Sequence, residues 1–454
     1  MEPAGLSGAA GVSFAEAVRF WWKLGFISFG GPAGQIAVMH RELVEQRRWI
    51  SERRFLHALN YCMVLPGPEA QQLATYIGWL MHGTRGGIVA GALFVLPSLF
   101  ILVALSWIYV RYGSVPAIAA ILYGVKPAVV AIVLAAAFRI GSRALRHPAL
   151  WVLAAAAFLA LFAAHVPFPM VILAAAIVGF VGGRIAPHVF QAPPHPAGST
   201  KDVALIDDDT PPPRHALFSR ARFGLVVLAF LLIWIGALGA LALAFGWRSD
   251  ATQMGWFFTQ AALITFGGAY AVLPFVIEAA VENYGWATAT QMIDGLALGE
   301  TTPGPLIMFV AFVGFVGGWT KPLFGPEALF ASAAVCASIA TFFTFLPSFL
   351  FILAGGPLVE RTRDDVKLMA PLTAITAAVV GVVMNLVVFF AWHVLWPQAT
   401  AGAPFAGPFD GLSAIIAVAG ATGLLSKRVE VIPVIVASGL AGLALWAAGF
   451  QPAV

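Results

Sequence analysis

The sequence predicts an all-α integral membrane protein built from two inverted-topology repeats, and three observations carry that prediction. Of its 454 residues, 60% are hydrophobic and only 10% are charged. One set of glycine-proline motifs occurs twice at a constant spacing. A single apolar segment without a counterpart lies between the two copies.

Soluble domains carry about 25% charged residues, so this chain cannot cover a surface facing water. Its mean hydropathy of +0.90 points to a bilayer. Apolar runs recur at 86–110, 115–138, 223–245, 328–353 and 372–396. Each reaches the roughly 20 residues that a spanning helix needs, whereas a membrane β-barrel shows short alternating segments. No basic stretch precedes a short apolar core and cleavage site at the start, so no removable signal is expected. Cys62 and Cys336 fall in apolar segments and suggest neither a disulfide framework nor a metal site.

The repeat follows from three motif pairs. Phe29-Gly30-Gly31, Trp49 and Pro66-Gly67-Pro68 return as Phe266-Gly267-Gly268, Trp286 and Pro303-Gly304-Pro305, since 266 − 29, 286 − 49 and 303 − 66 all give 237. Beyond one gap, Leu96-Pro97-Ser98 matches Leu346-Pro347-Ser348, and Ala128-Val129-Val130 matches Ala378-Val379-Val380, both 250 apart. Two blocks joined by one insertion mark a duplication. The expected division is an N-terminal repeat (1–186), a cytoplasmic Pro-rich linker (187–222), an extra transmembrane helix (223–245) and a C-terminal repeat (250–454). The linker, with its Asp207-Asp208-Asp209 run, reads as flexible. One extra crossing would turn the second repeat upside down, an arrangement common in secondary transporters.

The motifs interrupt apolar segments at 14–39 and 55–81. Proline suits the first turn of a helix and is hostile to its interior, so each motif is expected to end one half-helix and begin another. Charge placement favours segments that fold back over segments that span. With hairpins, Arg41, Arg47, Arg48, Arg53 and Arg54 share the cytoplasmic side with Arg139, Arg143 and Arg146. Arg184, Lys201, Arg214, Arg220 and Arg222 around the linker join them. In the second half, Arg361, Arg363, Lys367, Lys427 and Arg428 stay inside, and Glu278 and Glu282 face out. The hairpin arrangement gives about nine full crossings plus four broken segments, with the N-terminus in and the C-terminus out. The alternative is about 13 crossings with the same termini, and residues 42–54 also fit an amphipathic interfacial helix.

Helix starts carry unpaired N–H groups and roughly half a positive charge each. Four converging starts would match a divalent oxyanion, although glycine and proline also kink packed membrane helices with no ligand present. Candidate binding residues are Phe29, Gly30, Gly31, Pro32, Gly34, Gln35, Pro66, Gly67 and Pro68, with Phe266, Gly267, Gly268, Pro303, Gly304 and Pro305. Gln71, Gln72, Thr301 and Thr302 could donate hydrogen bonds, or simply join helices to one another. Lys126 is an ionisable residue inside an apolar run, hence a further candidate, with snorkelling as the alternative. Glu69, and more weakly Glu300, are candidates for proton coupling; Glu69 equally fits an acid stabilising its helix start. No phosphate-binding Gly-Lys-Ser/Thr loop, His-Glu-x-x-His pair or Gly-x-Ser-x-Gly elbow is present in the sequence, so neither an enzyme nor a cofactor is expected.

The run 24–35, Leu-Gly-Phe-Ile-Ser-Phe-Gly-Gly-Pro-Ala-Gly-Gln, together with Leu65-Pro66-Gly67-Pro68-Glu69-Ala70-Gln71-Gln72, resembles the chromate ion transporter family in its long, two-domain branch. The resemblance spans essentially the whole chain. It implies export of chromate across the bacterial inner membrane, conferring resistance, with sulfate as a similar oxyanion. One departure is Gly268-Ala269-Tyr270, where the first repeat has Gly31-Pro32-Ala33. The rival readings are a sulfate uptake carrier and an anion channel. Expected partners are the oxyanion and membrane lipid, with no nucleic acid; a homodimer is left open.

Overall fold

The computed structural model describes residues 12–29, 31–190, 204–207, 210, 213–266, 268–361, 369–399, 403–426 and 428–450. Among these, every regular element is helical; isolated bridge residues occur as well, Ile50 pairing with Ile206. The first half runs α1 (Phe14–Ile27), α2 (Gly31–His40), α3 (Glu52–Val64), α4 (Glu69–Tyr112), α5 (Pro116–Ala144), α6 (Pro148–Phe162), α7 (Phe168–Ile185) and a short α8 (Pro187–Phe190). Then come α9 (Arg220–Phe245), α10 (Asp250–Ile264), α11 (Ala269–Glu278), α12 (Ala289–Thr301), α13 (Phe309–Thr320), α14 (Leu329–Arg361), α15 (Met369–Leu395), α16 (Gly411–Leu425) and α17 (Val431–Ala447). Six of them, α4, α5, α7, α9, α14 and α15, are long and apolar enough to cross a membrane. The apolar α6, α16 and α17 are shorter. The chain is an all-α membrane protein.

The breaks fall where glycine and proline stand. α1 stops at Ile27 and α2 restarts at Gly31; α3 stops at Val64 and α4 restarts at Glu69 behind Pro68. At each break the chain turns back. After α2 a π-helical turn, Arg41–Gln46, returns beside the beginning of α1. There Arg47 lies 3.8 Å from Glu16 and its guanidinium covers the Phe20 ring. α4 likewise returns from the break to the level of α1's first residues, where His82 Nε2 donates to Val12 O at 2.9 Å. The helix then bends at His82 and Gly83 (φ 64°) and continues to Tyr112. In the second half, Trp286 Nε1 donates to Asp250 Oδ1 (2.8 Å), and Lys321 Nζ donates to Tyr284 O (2.5 Å). The start of α10, the turn after α11 and the end of α13 therefore share one end. Trp107, near the end of α4, packs on Phe330 at the start of α14, so α4 runs from the first cluster to the second.

The repeat is visible bond by bond. Trp49 N–H donates to Leu43 O and Trp286 N–H to Ala280 O; Arg47 N–H donates to Glu42 O and Tyr284 N–H to Ala279 O. Each pair is 237 residues apart, and a second π-helical turn occupies Ala279–Asn283. The 13-residue difference between the two offsets, 250 − 237, has a place. The first repeat passes it with the His82-Gly83 bend, whereas the second opens a loop between Thr320 and Leu329 containing a 3-10 turn, Pro326–Ala328.

The described part of the linker is docked, in contrast to the flexible tether expected. Leu205 N–H donates to Arg48 O (2.9 Å), and Ser51 N–H donates to Ile206 O (3.0 Å). Arg54 donates to Thr210 O, and His215 Nε2 donates to Trp79 O (2.8 Å). Ile206 and Ala216 complete an apolar cluster with α1 and α4. Paired backbone and buried methyl groups hold a segment that its composition alone would leave loose. Gly30, Lys201, Asp208, Asp209, Gly267, Arg363, Lys367 and Lys427 lie outside the described residues.

Candidate functional site

The four helix starts meet around one small pocket. Pro32 and Gln35 come from α2, and Pro68, Glu69 and Ala70 from the start of α4. Gly268 and Ala269 come from the start of α11, and Pro305, Leu306 and Ile307 from a 3-10 turn leading into α13. The enclosed space is about 10 Å³, room for about one water.

Two hydrogen bonds clasp the breaks together. Gly67 N–H donates to Thr265 O at 2.8 Å, and Gly304 N–H donates to Ser28 O at 2.7 Å. The donors differ by 304 − 67 = 237 and the acceptors by 265 − 28 = 237, so a pseudo-two-fold axis exchanges the bonds and passes through the site. Around each clasp glycine is favoured for two reasons. Gly67 (φ 118°) and Gly304 (φ 96°) occupy backbone that L side chains avoid. A Cβ on Gly304 would lie 1.8 Å from Ser98 Oγ, and one on Gly67 would lie 2.7 Å from Ser348 Oγ. Ser98 and Ser348 belong to the Leu-Pro-Ser echo, whose serines thus close on the opposite repeat's break. Ser98 also donates to Pro303 O.

The remaining candidates divide. Gln35 lies in the pocket wall and its Nε2 donates to Gly304 O; its Oε1 and the buried Ser28 Oγ have no hydrogen-bond partner among the described residues. Phe29 and Phe266 form matching turns, with Phe29 N–H to Ile27 O (3.2 Å) and Phe266 N–H to Ile264 O (3.1 Å). Gly31 opens α2, and Gly34 sits against Phe29 O. Gln72 Nε2 donates to Pro66 O (2.8 Å), bracing the break from behind, and Gln71 Nε2 donates to Thr75 Oγ1 (3.0 Å). Thr301 and Thr302 spend their hydroxyls on Leu298 O and Gly299 O, each at 2.9 Å. Gln72 therefore braces its break, and none of the four side chains lines the pocket. Lys126 also stands off it, on α5, close enough to Asp294 of α12 for their charges to interact.

The two carboxylates differ. Glu69 is in the pocket wall, in the first turn of α4. Glu300 is 5% exposed and accepts a hydrogen bond from Tyr270 OH. Tyr270 stands where the first repeat has Ala33, so the departure in the second motif supplies Glu300's partner. Sequence reasoning missed Tyr270, and it missed Asp294 and Tyr109, which are joined at 2.9 Å. An acid inside an apolar segment was the available signal for Asp294; nothing local announces either tyrosine.

Fold and site together define an α-helical membrane protein whose two inverted halves bring four broken helices to one buried pocket. The chain belongs to the chromate transporter family, which it matches over residues 15–180 and 252–443, one stretch on each side of the linker and α9. It is 33% identical to the chromate transport protein of Pseudomonas aeruginosa over 444 residues, covering 95% of this chain and 92% of that one. It is 28% identical to a probable chromate transport protein of Synechococcus elongatus, over 96% of each. Identity to the chromate transport protein of Cupriavidus metallidurans is 28%, over 83% of this chain and 82% of the other. No solved structure matches this chain.

Proposed function

We propose that this protein is a secondary transporter that exports chromate across the bacterial inner membrane, binding the dianion at the four helix starts. The observation that carries the reading is the pocket itself, to which both repeats contribute two helix starts. At roughly +0.5 each, four starts supply on the order of two positive charges, and the exposed N–H groups at their first turns are donors for a tetrahedral oxyanion. Gln35 Oε1, without a partner among the described residues, is a polar group in the wall of that space. In the arrangement seen, the pocket is smaller than an oxyanion, so loading requires the clasps at Gly67 and Gly304 to separate. Two hairpins per repeat, entering the bilayer from opposite faces, give the two gates that a carrier needs.

Direction follows from charge. Each elementary charge crossing 100 mV is worth about 2.3 kcal/mol, so a dianion leaving an inside-negative cell gains about 4.6 kcal/mol. At about 1.4 kcal/mol per decade that sustains a gradient of roughly three decades. Glu69 is the coupling candidate: ionised, it competes with the dianion for the N–H groups of the pocket, and protonated, it withdraws. Export then exchanges a proton from outside against the anion. The linker and the turn at 41–54 lie on the cytoplasmic face, and the C-terminus lies outside.

The test is counterflow. Vesicles carrying the purified protein and loaded with chromate should take up labelled chromate with saturation and with stimulation by internal chromate. Flux that neither saturates nor responds to the far side would replace the carrier by a channel. Sulfate counterflow in the absence of chromate counterflow would replace the substrate.

A further inference from the structure

Asp294 is a buried carboxylate that the anion pocket does not use. It lies on α12, only 2% exposed, seven residues before Thr301 and thus ~10 Å along the axis from the break. Tyr109, near the end of α4, donates to Oδ2 at 2.9 Å, and Oδ1 has no hydrogen-bond partner among the described residues. From α5, Lys126 is near enough for the two charges to interact. The other elements packed on α12 add almost nothing titratable. α13, α17 and the 3-10 turn Leu306–Met308 contain no such side chain, and α15 contains only His393, whose Nδ1 bonds Phe389 O at 2.9 Å. Tyr123 of α5 is bonded to Asp410, and Glu300, further along α12, to Tyr270.

A carboxylate with one bare oxygen in an apolar interior is costly when ionised and ordinary when that oxygen carries a proton. The three contributing helices come from both repeats: α12 is an arm of a second-half hairpin, whereas α4 and α5 are long helices of the first half. Relative movement of hairpin and rods would change the spacing of Asp294, Tyr109 and Lys126 together.

We propose that Asp294, with Tyr109 and Lys126, is a proton-binding site separate from the anion pocket, loaded and discharged once per transport cycle. The step is a simple one: a proton adds to Oδ1 of the carboxylate to give the neutral acid, and later leaves it. Its consequence is electrostatic. Ionised Asp294 offsets the Lys126 ammonium; protonated Asp294 leaves that ammonium uncompensated and able to draw a dianion out of the pocket toward the end where Trp286 and Lys321 lie. The proposal rests on the transport reading for its role, and on the burial of Asp294 and its bond to Tyr109 for the site.

Two measurements keep these apart. Infrared difference spectra of the purified wild-type protein across a pH titration should contain a protonated-carboxyl C=O band that Asp294→Asn removes and Tyr109→Phe displaces. The same variants in vesicles should show altered pH profiles of chromate counterflow, with Asp294→Asn flattening the profile and Tyr109→Phe shifting its midpoint by about one unit. A titrating band that persists unchanged in Asp294→Asn would overturn the site. Should Asp294→Asn fail to fold, an unmoved band and an unmoved profile in Tyr109→Phe would do the same. Absence of chromate counterflow in the wild type, with the band present and removed by Asp294→Asn, would instead overturn the transport reading and leave the proton site standing.

Discussion

In the first half, the turn at Pro66-Gly67-Pro68 delivers Glu69 into the pocket wall; in the second, the turn at Pro303-Gly304-Pro305 delivers Leu306 to the matching position. The second half has its own acid, Glu300, but Tyr270 holds it, whereas position 33 of the first half is an alanine. The backbone around the pocket is thus two-fold, down to paired clasps at 2.8 and 2.7 Å, and the side chains are not. In the proposed carrier, backbone N–H groups would form a site that either face could present. On the same proposal, the asymmetric carboxylates Glu69 and Glu300 would make the two openings chemically different, which is where proton linkage would act.

The comparison breaks most visibly if the halves are not inverted. Gln46 and Asn283 are repeat mates, 237 apart, both exposed in their π-helical turns. Cysteines placed there should label from opposite faces: Gln46→Cys only in inverted vesicles and Asn283→Cys only in intact cells, using an impermeant thiol reagent. Labelling of both from one face would remove the inversion. Gln46 is the better reporter in its loop, because Ser51 is 9% exposed and caps α3 by accepting from Arg54 N–H.

Next in size come the clasps. Alanine at Gly304 must adopt a positive φ, costing about 1–3 kcal/mol, and also collides with Ser98 Oγ at 1.8 Å. Gly67→Ala has the same backbone cost and a looser contact at 2.7 Å from Ser348 Oγ. Transport rates normalised to protein in the membrane should fall by about tenfold or more in both, and further in Gly304→Ala. Equal, wild-type rates would mean that the clasps take no part in the cycle.

Glu69→Gln sharpens the asymmetry. It mimics the protonated acid, so chromate binding should persist while the pH dependence of transport weakens. Full pH dependence in this variant would reduce Glu69 to a stabiliser of its helix start and move the coupling to Asp294 or Glu300. The smallest effect belongs to Lys126→Gln. Because Lys126 stands off the pocket, the variant should weaken chromate transport a few-fold at unchanged membrane abundance; wild-type kinetics would return it to a snorkelling role.

Much of this is legible in the sequence. Glycine with positive φ and proline at a helix start are local constraints, so Gly67, Pro68, Gly304 and Pro305 announce the breaks from the sequence alone. The duplication announces that breaks come in pairs. What stayed hidden depends on contacts between halves. Nothing near Ser28 or Thr265 says that their carbonyls accept from Gly304 and Gly67. Thr301 and Thr302 read as ligand donors by type, but a hydroxyl near a helix end finds its own i−3 carbonyl first. The linker read as loose because its polar composition carries no record of the backbone groups at 48–51 that it pairs with.

An anion held where the four helix starts meet would be seen by electron cryo-microscopy of the protein with saturating chromate. Density for a tetrahedral oxyanion is expected between Pro32, Glu69, Ala269 and Leu306, within hydrogen-bond distance of first-turn N–H groups from both repeats, in a pocket wider than the ~10 Å³ of the present arrangement. Oxyanion density elsewhere along the helices, with these four starts still closed on one another, would contradict that placement.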